Sequence, residues 1–216
     1  KTILDKKNIK HFAGDFDYIV VGAGSSGSAI AYRLAQENNM KVLLIEYGGQ
    51  NRSVFIDMPA ALSYPMNLKK YNWGYRAEPE PNLYGRSLIC PRGKGLGGSS
   101  SINGMIYVRG HPQDFDNWST KGASSWSFAD VLPYFKKMEC CESRQSAWRG
   151  KNGPIHIKTA EQKNVLHKVF SDAAIQCGYS FTEDYNGYKQ EGIGAAEMTV
   201  YNLSLIHISE PTRQLC

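Results

Sequence analysis

The alternation of apolar and polar positions predicts a βαβ unit near the start of the chain. Tyr18–Val21 is a continuous, β-branched apolar run, as in a buried parallel strand. Over residues 25–37, Ala29, Ile30, Leu34 and Ala35 recur at helical spacing. Val42–Ile45 is a second buried-strand run, closed by Glu46. Gly48 and Gly49 then break the pattern. Residues 51–68 read as an irregular loop with one helical turn, 71–75 as an aromatic cluster, and 78–81 as an extended Glu-Pro repeat.

Downstream the pattern is mixed. Residues 114–118 read as a helical turn or loop in which Trp118 packs. Residues 128–139 carry an apolar stripe, Val131, Leu132, Tyr134, Phe135 and Met138, read as core. Ser127 and Asp130 stand at capping-box spacing before it, and Pro133 allows a kink within it. Residues 150–154 form a turn. Residues 155–157 alternate as a strand, with His156 on the exposed side. Residues 164–177 predict an amphipathic helix with Val165, Leu166, Val169, Phe170 and Ala173 inward, stopped by Gly178. His167 lies on its polar side. Residues 196–201 predict a further strand.

The βαβ unit carries chemistry. Gly22, Gly24 and Gly27 give G-x-G-x-x-G between the first strand and the helix. The first glycine serves the tight turn, the second a close approach to pyrophosphate, and the third close helix packing. Unpaired N–H groups and the positive end of the helix dipole meet there and favour a diphosphate. Glu46 lies about 20 residues further on, where an acid accepts hydrogen bonds from ribose hydroxyls. An acid suits NAD or FAD better than NADP and does not separate the first two.

A second glycine-dense stretch runs from Arg92 to Gly110. Gly93, Gly95, Gly97 and Gly98 are followed by Ser99, Ser100, Ser101 and Asn103, then by the apolar Met105, Ile106 and Val108. It reads as a glycine loop leading into a short apolar helix, with N–H groups, hydroxyls and an amide facing one polar ligand. A nicotinamide enzyme has no evident need of it.

Composition narrows the alternatives. The chain has 216 residues, 42% of them hydrophobic, enough for a sizeable core. No run approaches the roughly 20 apolar residues of a membrane span. The net charge of +5 is carried by scattered basic residues, so a solvated surface is expected and nucleic acid is not. The five cysteines form no C-x-x-C, no Cys/His spacing suits zinc, and no metal is expected. Their odd number, without a signal-peptide stretch, favours reduced thiols and an intracellular location.

The pieces VGAGSSG, Glu46 and RGKGLGGSSSINGMIYVRG resemble the N-terminal third of the glucose–methanol–choline (GMC) family of flavin oxidoreductases. MPAALSYP, KKYNWGYRAEPEP, RGHPQDFDNW, LPYFKKME, GPIHI and EDYNGYKQEG share the likeness, which is greatest to choline-oxidising members. The resemblance implies an incomplete Rossmann-like FAD-binding domain of α/β class and the start of an α+β substrate-binding domain. It places an extension at residues 1–16, the FAD-binding part at 17–110, and a mixed helical segment with the start of the substrate-binding part at 111–202. By resemblance Gly22, Gly24, Ser25, Ser26, Gly27, Glu46 and Tyr47 would hold ADP. Gly97, Gly98, Ser99, Asn103, Gly104, Met105 and Ile106 would line the flavin side. Some members attach the flavin through a histidine just before this asparagine. Ile102 stands there, which implies non-covalent FAD.

The resemblance further implies oxidation of a small alcohol. A base takes the hydroxyl proton and hydride passes to flavin N5. The base is a histidine near the C-terminal end of family members. None of His11, His111, His156, His167 or His207 matches its motif, so the catalytic residues are expected beyond Asn202. The electron acceptor is left open, and so is location, since some relatives associate with membranes. The alternatives are a GMC dehydrogenase for another alcohol or sugar, and a non-catalytic flavin-binding piece. Residues 203–216 are unlike the family. Within them LSLIHISEPTR resembles a translated sequencing adapter and is left out of the fold reasoning.

Overall fold

The computed structural model describes residues 14–36, 40–144 and 146–201, with the backbone of 204–205. His11, His207, Cys216 and the adapter-like stretch lie outside the side chains described. The chain divides into two compact units, one running to Gly104 and one spanning Met105–Asn202.

In the first unit β1 (Tyr18–Val21) pairs in parallel with β2 (Val42–Ile45), Tyr18 opposite Val42 and Val21 opposite Ile45. Helix α1 (Ser25–Gln36) makes the crossover. Asp17 Oδ2 accepts the Lys41 amide at 2.7 Å and anchors the open end of the pair. The gly-rich end is closed by the Gly22 amide donating to the Ile45 carbonyl at 2.7 Å. The strands were expected to be buried, and they are not: Ile19 is 62% and Val21 81% exposed. A continuous apolar run has the composition of a central strand, but burial needs neighbours, and among the described residues this sheet has two strands. Helix α1 likewise buries Ser28 and Ala31, leaving Ile30 exposed.

The predicted irregular stretch contains two short helices, α2 (Val54–Asp57) and α3 (Ser63–Asn67). They carry Ile56 and Met66 into a small apolar core with Tyr71 and Ile102. A two-residue antiparallel pair follows, β3 (Tyr75–Arg76) with β4 (Ile89–Cys90). Asn72 is buried and ties this region together. Its Oδ1 accepts the Gly74 and Arg92 amides, both at 3.0 Å, and its Nδ2 donates to the Met66 carbonyl at 2.6 Å.

The second unit has α4 (Pro112–Thr120), α5 (Phe128–Met138), β5 (Glu139–Cys141), β6 (Ile155–Thr159), α6 (Val165–Gln176), β7 (Glu197–Met198) and β8 (Val200–Tyr201). β5 and β6 are parallel, and β6 and β7 antiparallel. The Ser127–Asp130 capping box forms as predicted. Trp118 packs edge-on against Phe115 and Trp126 while half exposed. The apolar helix expected after Ser101 is absent. Only Gly98–Ser101 is helical, a 3-10 turn. Residues 105–109 instead alternate buried and exposed, and Ile106 bridges to Met198. Period-two alternation with Ile and Val fits an extended chain better than a helix.

Two helical faces also depart from expectation. In α5, Tyr134 is exposed while Phe135 packs edge-on against Phe115. In α6, the supposed inward face is open: Val165, Leu166, Val169 and Phe170 are each more than half exposed, and Ala173 is exposed too. Periodicity identifies the apolar side of a helix, not whether the fold supplies a partner for it.

The second unit's centre is ionic. Glu139 and Glu197 are fully buried, and Arg109 and Arg149 nearly so. Arg149 reaches Glu139 at 2.9 Å, Glu197 at 2.9 and 3.0 Å, and Asp184 at 2.7 Å. Arg109 meets Glu139 at 2.8 Å, and Arg144 meets Glu197 at 3.0 Å. Asn186 Nδ2 and the Gly150 amide take up further carboxylate lone pairs. Burial alone would lower the Arg149 pKa, but the hydrogen bonds to Glu197 and Glu139 outweigh it and hold the guanidinium above its ordinary range. Arg149→Met should therefore lower the unfolding free energy by about 3–5 kcal/mol, because Glu139 and Glu197, both fully buried, each lose one of their two arginine partners. Urea denaturation reads this, and a loss below about 1 kcal/mol would show that the network relaxes without its centre.

Tyr107 lies beside this network. Burial pushes its phenol up to about 12, reinforced by the Glu139 charge and partly opposed by Arg109. The folded state therefore holds the phenolic proton after the unfolded state has lost it. Stability present below pH about 10 is lost as pH rises toward about 12, by about 2–3 kcal/mol. Tyr107→Phe should flatten this part of the alkaline loss in pH-dependent denaturation, and an unchanged slope would assign the loss to other groups.

Candidate functional site

The first unit brings the two glycine stretches together by backbone contact. Gly24 and Gly97 form a parallel bridge, and the Gly97 amide donates to the Ala23 carbonyl at 2.8 Å. Gly98 has φ +54°, and a Cβ there would lie 2.8 Å from the Gly24 Cα. Only glycine allows the two chains to lie so close.

Glu46 joins the same three segments. Its Oε2 accepts the Ala23 amide at 2.8 Å, and its Oε1 accepts the amides of Gly48 at 2.8 Å and Gly95 at 3.0 Å. A carboxylate offers about four lone-pair sites. Three are engaged with backbone, which leaves acceptor capacity on Oε2. The acid at the end of β2 is thus a structural joint as well as a candidate ribose acceptor. Sequence reading missed its partners Gly48 and Gly95, and also Asn51, whose Nδ2 donates to the Leu96 carbonyl. The signal for Asn51 was its place just past the strand-ending acid and the Gly-Gly pair.

The first motif has the shape its spacing implies. The Ser28 amide is the first in α1 to find a helical acceptor, the Gly24 carbonyl at 2.9 Å. The amides of Ser25, Ser26 and Gly27 belong to the turn with no acceptor inside the helix. A Cβ at Gly27 would sit 1.9 Å from the Gly22 carbonyl oxygen, so the helix lies on the turn. Gly24 differs: a Cβ there would meet only the Gly98 Cα, at 4.0 Å. Nothing within the protein crowds that position. The space a Cβ would fill is open, as needed for a pyrophosphate lying on bare backbone.

In the second stretch the serines divide. Ser100 and Ser101 are buried and donate to the Gly97 and Leu96 carbonyls at 2.6 and 2.9 Å. Ser99 is exposed and accepts the Gly93 amide at 3.0 Å, which leaves its own proton to donate. Asn103 and Gly104 are exposed at the end of the unit. Met105 and Ile106 belong to the second unit, where the Met105 carbonyl accepts the Thr199 amide at 2.9 Å. Ile102, at the position where a histidine would attach flavin, is buried with Ile56 and Tyr71.

Beside Glu46 stands an aromatic ladder. Tyr47 stacks on Trp73 at 5.0 Å, and Trp73 on Tyr75 at 6.4 Å, with Lys94 Nζ 5.6 Å from the Trp73 ring centre. Tyr47 is 61% exposed, and its ring is held on one side by Trp73.

Residues 16–202 match the GMC oxidoreductase family. The chain belongs to that family. GMC oxidoreductases are FAD enzymes, and the open backbone at Gly24, the α1 amides and Glu46 suit the dinucleotide. Over 186 residues the chain is 54% identical to the oxygen-dependent choline dehydrogenase of Brucella melitensis biotype 1, covering 86% of this chain and 34% of that protein. Identity to the Rhizobium etli protein of the same name is also 54%, over 185 residues, with the same shares. The chain thus spans about a third of the length of the curated relatives it matches. Pyridoxine 4-oxidase from Mesorbium loti superposes with a TM-score of 0.85 at 30% identity, covering 91% of this chain and 39% of that one. A crystal structure of formate oxidase gives 0.79 at 29%, covering 89% and 36%. These likenesses agree with the α/β, Rossmann-like expectation.

The two alanine substitutions in the first motif should separate. Gly27→Ala overlaps backbone and should destabilise the first unit by about 1–3 kcal/mol. Gly24→Ala should change its stability by less than about 0.5 kcal/mol. Denaturation curves of the two variants check this, and equal losses would mean that Gly24 too is required by the protein's own packing.

Proposed function

We propose that the first unit holds the ADP half of FAD non-covalently and that the full-length protein oxidises a small primary alcohol of the choline type. The observation that carries this reading is the Gly24–Gly97 backbone contact, which joins both glycine stretches into one cradle. The α1 amides of Ser25, Ser26 and Gly27 would face the pyrophosphate, and Glu46 Oε2 would accept a ribose hydroxyl. Tyr47, stacked on Trp73, follows that acid directly in the chain. Within the first unit Gly97, Gly98, Ser99, Asn103 and Gly104 are assigned to the flavin side, with Ser99 as a hydroxyl donor. The packing of Ile102 in the apolar core supports a flavin held without a covalent bond.

Bound FAD supplies the two-electron acceptor for hydride leaving an alcohol carbon. This chain's residues would bind and orient the dinucleotide, while the proton-accepting histidine is assigned to sequence beyond Asn202. Choline is favoured over other alcohols because the 54% relatives carry its name, whereas pyridoxine 4-oxidase stands at 30%. Oxygen as electron acceptor is inferred from the same relatives.

The cofactor assignment is tested by adding FAD to the purified chain and recording flavin absorbance after desalting. Retention should be lost in Gly24→Ala, whose fold is spared, and weakened in Trp73→Ala. Full retention by Gly24→Ala would remove the pyrophosphate from this turn. For the substrate, the full-length protein should show its highest kcat/KM with choline, set against longer alcohols and sugars. A preference for an uncharged alcohol would overturn the choline assignment and leave the cofactor site standing.

A further inference from the structure

A second group of functional side chains lies in the second unit. β5 and β6 run side by side with Cys140 directly opposite His156. Ile155 and Ile157 on one strand, and Glu139 and Cys141 on the other, are buried. Side chains alternate across a strand, so Cys140 and His156 share the opposite face. Glu142, two residues past Cys140, stands on that face as well. The Cys140 Sγ, a Glu142 carboxylate oxygen and a His156 ring nitrogen all lie within 4.8 Å of one another.

We propose that Cys140, Glu142 and His156 form a binding site for a zinc-class divalent cation. Thiolate, imidazole and carboxylate are the three ligand types zinc uses, and a tetrahedral ion at ordinary bond lengths needs donor separations of about 3.4–3.6 Å. The three donor atoms, none more than 4.8 Å from another, reach that spacing by small side-chain torsions, since Glu142 is exposed and Cys140 and His156 are half-buried. Tyr201 packs against the His156 ring at 4.3 Å and limits its rotation. On binding, the Cys140 thiol gives its proton to solvent as the sulfur–metal bond forms, with no change of oxidation state. Thiolate and carboxylate then balance the two positive charges, and the fourth position is left to water. The sequence conceals this site because its ligands are brought together by strand pairing and not by a short Cys/His spacing.

Cobalt is the probe, since thiolate-bound Co2+ absorbs by sulfur-to-metal charge transfer. The full chain, reduced with a phosphine, should develop that band to one equivalent of Co2+, and Zn2+ should bleach it. Cys140→Ser should abolish the band, whereas Cys90→Ser and Cys177→Ser should keep it. His156→Asn should weaken binding by about tenfold or more. Far-ultraviolet circular dichroism checks that each variant stays folded. If Cys140→Ser unfolds, His156→Asn decides, because it keeps the thiol. Persistence of the band in Cys140→Ser, unchanged affinity in His156→Asn, or no band at one equivalent would overturn the site.

Discussion

The cradle rests on a backbone-to-backbone approach, Gly98 against Gly24, fixed from below by one carboxylate. Two segments some seventy residues apart in the chain are brought together where neither has a side chain to interpose. Bare backbone alone makes a weak joint, since glycine carries the largest conformational entropy cost of any residue. Glu46 offsets this by accepting three amides, from the first turn, from its own loop and from the second stretch. Hydrogen bonds to an ionised acceptor are roughly twice as strong as neutral ones. Polar groups thus do the ordering in a region with little apolar mass to contribute.

The second unit solves a related problem with charge. Its small sheet, three strands of two to five residues, gathers Arg109, Arg149, Glu139 and Glu197 at its centre. Such a cluster is weak evidence of stability compared with an apolar core. It does, however, connect residues 109, 139, 144, 149, 184 and 197, which come from loops and strands far apart in sequence. Each guanidinium has fixed donor directions, so the cluster admits few arrangements. The geometry of long connections is thereby set where regular secondary structure is sparse.

How much of this could be read beforehand depended on range. The βαβ start, the capping box and the helix over residues 165–176 were legible because their signals are local: hydrophobic period, a capping spacing, a stopping glycine. The candidate cradle was legible in its parts, since Gly24 and Glu46 belong to a motif with a known geometry. Their contact with Gly95, Gly97 and Gly98 was suggested only by the family resemblance. The ionic centre was not legible at all. A buried arginine looks like a surface arginine in one dimension, and nothing near Arg149 in the chain marks Glu197 as its partner.

Errors of burial have the same root. Ile19, Val21, Leu166 and Phe170 have the composition of interior residues and are exposed. Local pattern reports which face of an element is apolar, and burial is a property of a neighbour that pattern does not contain. The reverse holds for Ile102, an apolar residue inside a polar glycine-serine stretch. Its chemistry was read as the absence of a flavin-bonding histidine, whereas its packing shows a positive role. It carries the end of the second glycine stretch into the core with Ile56 and Tyr71. The loop that forms one wall of the cradle is therefore held at Gly98 by contact with the first motif and at Ile102 by burial. Between those two fixed points lies Ser99, exposed and with a proton to donate.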